Sequence, residues 1–167
     1  MFKRILVPVD GSRFGSKPLE YAIDIARRFD AEVVILHVVK PAVPVTAPTF
    51  TYGAISPATA EIAVKAAEDE EKRNVSRSKR YLSRKAREIK SSRVDASYRV
   101  LVGDPSTSIM DFSKKEKIDL IVMSTHGKSG LKRAFLGSVA DAVIRESGKP
   151  VLVIRPRSLM NKNKRDG

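Results

Sequence analysis

The sequence predicts an α/β fold: an open five-stranded parallel sheet, Rossmann-like, with strand order 3-2-1-4-5 and helices on both faces. Three observations predict it. Short, nearly continuous apolar runs recur at 5–9, 33–39, 118–123 and 150–154, as strands buried on both faces require. Segments with helical apolar spacing separate them. The joints at 10–12 and 124–138 are rich in Gly, Ser and other turn formers. Strand and helix in alternation imply a parallel sheet with right-handed crossovers.

Each element has its own signal. Residues 2–9 read as the first strand, through Ile5, Leu6, Val7 and Val9. Asp10-Gly11-Ser12 then turns the chain. Ser16 caps a helix that admits Pro18 in its first turn, and Leu19, Ala22, Ile23, Ala26 and Phe29 share its apolar face. Residues 31–39 form the second strand. The stretch 41–57 carries four prolines and reads as a long loop, a candidate lid. One long helix follows over 58–89, in which Ala60, Val64, Ala67, Val75, Leu82, Ala86 and Ile89 recur at compatible spacing. Acidic residues crowd its early turns, and ten Lys or Arg lie between 72 and 93. That order complements the helix dipole at each end. Residues 96–102 form the third strand, and Asp104-Pro105-Ser106 opens a helix running to about residue 115. The fourth strand is expected at 118–123, the last helix at 137–146 and the fifth strand at 150–154. Residues 1–156 read as one domain, and 157–167 as a basic tail expected to be disordered.

Composition excludes several functions. The 167 residues contain no cysteine and two histidines, His37 and His126, which leaves no disulfide framework, no thiol chemistry and no histidine-rich metal site. No apolar run approaches the roughly 20 residues that span a membrane. The opening residues enter a strand without a signal-peptide pattern, so a cytoplasmic protein is expected. The net charge is +13, from 32 basic and 19 acidic residues. Such a charge attracts polyanions. There is, however, no tryptophan, little aromatic interleaving and no nucleic-acid-binding motif, so nucleic acid is an unlikely partner.

The chemistry concentrates where two strands end. In an open α/β sheet, ligands bind beyond the carboxyl ends of strands at the point where strand order reverses. In this order that point lies between the first and fourth strands. Pro8-Val9-Asp10-Gly11-Ser12 ends the first and Ser124-Thr125-His126-Gly127 the fourth. The loop 124–138 then leads into a helix whose first N–H groups have no intrahelical acceptor, a natural seat for phosphate. Lys128, Lys132 and Arg133 could steer an anion there or simply face solvent. His37 reads as a structural strand residue. A P-loop is absent, and no nucleophile–base pair stands out.

These pieces resemble the universal stress protein family along nearly the whole chain. The resemblance is carried by ILVPVDGS, LHVV, VGDPS, DLIVMSTHG, GSVADAVI and KPVLVIR. ATP-binding members carry Gly-x-x-Gly, nine residues, then Gly-Ser or Gly-Thr. Here nine residues separate Gly127 from Gly137-Ser138, while Ser124 stands where the first glycine is expected. The resemblance implies that Pro8, Val9, Val39 and Met123 line an adenine pocket, with the Val39 backbone reading the base edge. It places Asp10 on the ribose or on a magnesium ion held by the phosphates, with Ser12 in the same turn. Ser124 and Gly127 would meet ribose and phosphate, and Gly137, Ser138 and Val139 would supply phosphate donors. It implies an ATP-binding stress sensor or regulator acting on an unidentified protein partner. The alternatives are a slow ATP-hydrolysing enzyme and, behind it, a basic nucleic-acid binder. The last strand is apolar on both faces yet lies at the sheet's edge, which predicts a homodimer formed through it.

Overall fold

The computed structural model describes residues 1–11, 17–42, 57–125 and 136–155. Ser12, Ser16, most of the proline-rich stretch, His126, Gly127, Lys128, Lys132, Arg133 and the tail 157–167 lie outside the described residues. The elements run β1 (Arg4–Pro8), α1 (Lys17–Phe29), β2 (Glu32–Val39), α2 (Pro57–Ser91), β3 (Ala96–Val102), α3 (Pro105–Lys115), β4 (Leu120–Ser124), α4 (Ser138–Glu146) and β5 (Val151–Ile154). All strands are parallel, in the order β3-β2-β1-β4-β5. The expected fold class and strand order are therefore correct.

Why the strand sequences lack alternation is now plain. Successive side chains point to opposite faces, and both faces are covered. Ile5, Val7, Val33, Ile35 and Val122 pack under α1 and α2, against Leu19, Ala22, Leu82, Ala86 and Ile89. Leu6, Val34, Leu36, Ile121 and Met123 pack under α3 and α4, against Ile109, Phe112, Ala140 and Val143. The sheet thus has no polar face to reveal a period of two.

Two expectations about helix faces fail. Phe29 is 36% exposed and meets Phe2 edge-on, with ring centroids 5.2 Å apart, at the margin of the core. On α2, only residues from Ser78 onward are buried, while Val64 is 43% and Ile62 70% exposed. The reason is length. A five-residue strand covers ~17 Å and a 35-residue helix ~52 Å, so α2 outruns the sheet. Because α2 descends from the carboxyl end of β2 to the start of β3, the surplus lies above the carboxyl edge of the sheet.

The fourth strand begins two residues later than expected because Asp119 serves β1 instead. Its Oδ2 accepts the Lys3 and Arg4 N–H groups at 2.8 and 2.9 Å, and its own N–H donates to the Arg4 carbonyl at 2.9 Å. The Lys3 and then the Arg4 bond hold its carboxyl below the ordinary value. A lowered folded-state pKa contributes stability above the unfolded pKa, and that contribution is lost as pH falls through the lowered value. Asp119→Ala is therefore expected to cost about 1 kcal/mol at pH 7, since water screens the partly exposed carboxylate and its bonds. The gap should narrow below about pH 4, where the unfolded carboxyl protonates. Urea titrations of both proteins at several pH values read this directly, and a pH-independent gap would contradict it.

Candidate functional site

A cavity of about 830 Å³ opens at the carboxyl ends of β1, β2 and β4. This is the switch point of the sheet: from β1 the chain order runs to β2 on one side and to β4 on the other. Every described candidate residue lines the cavity. Pro8, Val9 and Asp10 come from the end of β1, Val39 from β2, Met123 and Ser124 from β4, and Gly137, Ser138 and Val139 from the start of α4. Val9, Val39 and Met123 are also buried, so they seal the cavity floor as part of the core.

Among the described residues two helix starts line this cavity, and they differ at their caps. α3 is closed: the Asp104 carboxylate accepts the Thr107 N–H at 3.0 Å and the Ser106 hydroxyl at 2.7 Å, and Pro105 occupies the first position. Those bonds, led by the one from Ser106, hold the Asp104 carboxyl below its ordinary value. α4 is open. Its N-cap is Gly137, which has no side chain to cap anything. Its first N–H groups, at Ser138, Val139 and Ala140, stand on the cavity wall with no intrahelical acceptor. The positive end of the α4 dipole therefore faces the cavity.

Gly137 is held for a reason the sequence does not reveal. Its φ of −65° suits any residue. Its N–H donates to the Thr125 carbonyl at 2.8 Å, and a Cβ built on it would stand 2.9 Å from that same oxygen. The close approach ties the start of α4 to the end of β4.

Val39 sits on the cavity, but its backbone does not suit the expected role. Its carbonyl accepts the Gly103 N–H at 3.0 Å, which turns it toward β3. Successive residues in a strand turn their backbone groups to opposite neighbours. Leu36 accepts the Val9 N–H at 2.8 Å on the β1 side, so Val38 turns its carbonyl to that side too. There β1 has already ended at Pro8. Val38 lines the cavity, and it is the better placed of the two to meet a ligand's edge.

Sequence reasoning missed one wall. Asn74, Arg77, Ser78 and Tyr81 of α2 line the cavity, as do His37 and Lys40 of the β2 end. A signal was available: the apolar face at Leu82, Ala86 and Ile89 continues one and two turns earlier as Ser78 and Asn74. A buried helix face that turns polar at the sheet's edge marks a cavity wall. Among the described residues the charged groups on the cavity are Asp10, Lys40 and Arg77, a basic excess suited to an anionic ligand. No group of three or more His, Cys, Asp or Glu that would hold a metal occurs among the described residues. A magnesium ion held by nucleotide phosphates needs only one or two protein carboxylates, and Asp10 fits that requirement.

The model of the universal stress protein family matches residues 1–155. The chain belongs to that family. Universal stress protein MJ0531 of Methanocaldococcus jannaschii is 34% identical over 155 residues, covering 93% of this chain and 83% of that protein. Among solved structures, that of hypothetical protein MJ0577 superposes with a TM-score of 0.76 at 25% identity, covering 95% and 99% of the two chains. Two other structures share the fold at lower identity. A universal stress protein in complex with cAMP matches at a TM-score of 0.55 and 22% identity, covering 92% and 97%. An Arabidopsis thaliana family member with AMP bound matches at 0.60 and 18%, covering 97% of each chain.

Proposed function

We propose that this universal stress protein binds an adenine nucleotide, ATP, in the cavity at the β1–β4 switch point, and that it works in the cytoplasm as a stress-response sensor or regulator. The observation that carries the reading is the open N-terminus of α4, set against the capped N-terminus of α3 beside it. Of the two helix starts that line the cavity among the described residues, the one without a side-chain cap is the one where the sequence motif lies. Two proteins of the same fold that hold cAMP and AMP lend support by analogy of fold.

In this reading the Ser138, Val139 and Ala140 N–H groups and the Ser138 hydroxyl bind the phosphates. Ser124 meets the ribose, and Asp10 meets the ribose or would hold a magnesium ion bound to the phosphates. Magnesium would supply charge neutralisation of the phosphates. The adenine rests against Val9, Val39 and Met123, with its edge on the Val38 carbonyl. Gly127 completes the motif, and Ser12 follows Asp10 in its turn. Calorimetric titration with ATP and GTP is the test. Saturable binding of one ATP per chain, with GTP weaker, is expected. Heat indistinguishable from dilution for ATP up to millimolar concentration would overturn the proposal.

The same reading includes a homodimer through β5. All four residues from Val151 to Ile154 are only half-buried, and β5 has a neighbour on one side alone. A second copy pairing about a twofold axis would cover that edge. Light scattering at micromolar concentration should give twice the chain mass of 18.4 kDa. Val153→Pro, which removes a ladder N–H, should shift the protein toward monomer. A monomeric native protein, with and without ATP, would refute the dimer.

A further inference from the structure

The α2 wall belongs to no part of the phosphate motif, yet it faces the same cavity. It offers a guanidinium at Arg77, an amide at Asn74 and an aromatic ring at Tyr81, at helical spacing. We propose that Arg77 is a base-gripping residue, laying its guanidinium plane over the nucleobase from the α2 side. The inference rests on the adenine-nucleotide reading above and deepens it.

Position comes first. α2 packs over β2 and β3, under which Leu82 and Ala86 join Val33 and Ile35 in the core. The open end of α4 lies beyond β4, on the other face of the sheet. A ligand with its phosphate at α4 and its remainder over the β1 and β2 ends therefore presents the base, not the phosphate, to α2. Charge comes second. Three cations of α2 are held by partners on their own helix, Lys72 by Asp69, and Arg84 and Lys85 by Glu88, and none of these three lines the cavity. Among the described residues Arg77 has no ion pair, and the residues three and four away are Arg73, Asn74, Arg80 and Tyr81, none of them acidic. Its neighbour Tyr81 is held against the core, with Arg84 over the ring at 5.9 Å on the following turn. Arg77 thus occupies the cavity rim one turn above a fixed aromatic, with no helix neighbour to draw it away. A planar guanidinium stacks on aromatic faces as an ammonium does not.

The test compares Arg77→Ala and Arg77→Lys with the native protein against ATP, AMP and adenosine by calorimetry. Stacking on the base predicts that Arg77→Ala weakens all three by a similar factor, about tenfold. Arg77→Lys should recover little of this, because it restores the charge and not the plane. A loss that grows with phosphate number, or full rescue by lysine, would overturn the proposal in favour of a phosphate contact. Native-like affinity of Arg77→Ala for adenosine would overturn it as well. If the native protein binds none of the three ligands, the nucleotide reading itself fails; if it binds them and only the variants behave otherwise, the failure is confined to Arg77.

Discussion

Gly137→Val is expected to lower ATP affinity by at least about tenfold, or roughly 1.4 kcal/mol. The cause differs from a simple block of the phosphate. The new Cβ stands 2.9 Å from the Thr125 carbonyl oxygen, a backbone atom fixed by its place after β4. Real Cβ atoms do not come that close, so the start of α4 must move away from the strand end. That motion breaks the 2.8 Å bond from the Gly137 N–H and re-aims the N–H groups of Ser138, Val139 and Ala140. Gly137→Ala introduces the same first contact and should lose affinity too, though by less, because no branch must be accommodated. Calorimetry on both variants, with circular dichroism to show that they fold, measures the effect. Unchanged ATP affinity in the valine variant would mean that α4 does not hold the phosphates.

Leu82→Ala is expected to destabilise the protein by about 3 kcal/mol, within the range for buried leucines. Leu82 is fully buried, and it anchors α2 on the sheet where the helix passes the cavity. Removing it leaves a void between α2 and the β2–β3 surface, which the surrounding strands can close only in part. A loss of that size is large against the ~5–15 kcal/mol that holds a domain together. Ile62→Ala, on the exposed part of the same helix, should change stability by less than about 0.5 kcal/mol. Urea denaturation of the two variants reads the contrast. Equal losses would show that α2 is packed along its whole length.

The fold was legible in the sequence because its determinants are local. Apolar runs such as Ile118-Asp119-Leu120-Ile121-Val122-Met123 mark doubly covered strands, and Asp104-Pro105 marks a helix start through a cap that is present at the expected residue. The cavity-lining residues at the strand ends were legible too, since topology alone brings the end of β1 to the end of β4. What escaped depends on three-dimensional reach. Val64 shares helical spacing with Leu82, but the sheet ends before Val64, so periodicity overstates the buried face. Val39 and Val38 are indistinguishable as residue types, and only the direction of the ladder, visible in the Gly103 bond, separates them. Gly137 suggested room for a phosphate, whereas the constraint in the structure is the Thr125 carbonyl. Arg77 was hidden among ten basic residues, most of which face solvent.

Hydrogen–deuterium exchange with and without saturating ATP tests the location of the site most directly. Binding at the switch point predicts slowed exchange at the amides of 10–11 and 138–140, while those of Thr107 and Val9, already bonded to Asp104 and Leu36, are unaffected. Protection centred elsewhere, with these amides unchanged at saturation, would contradict it.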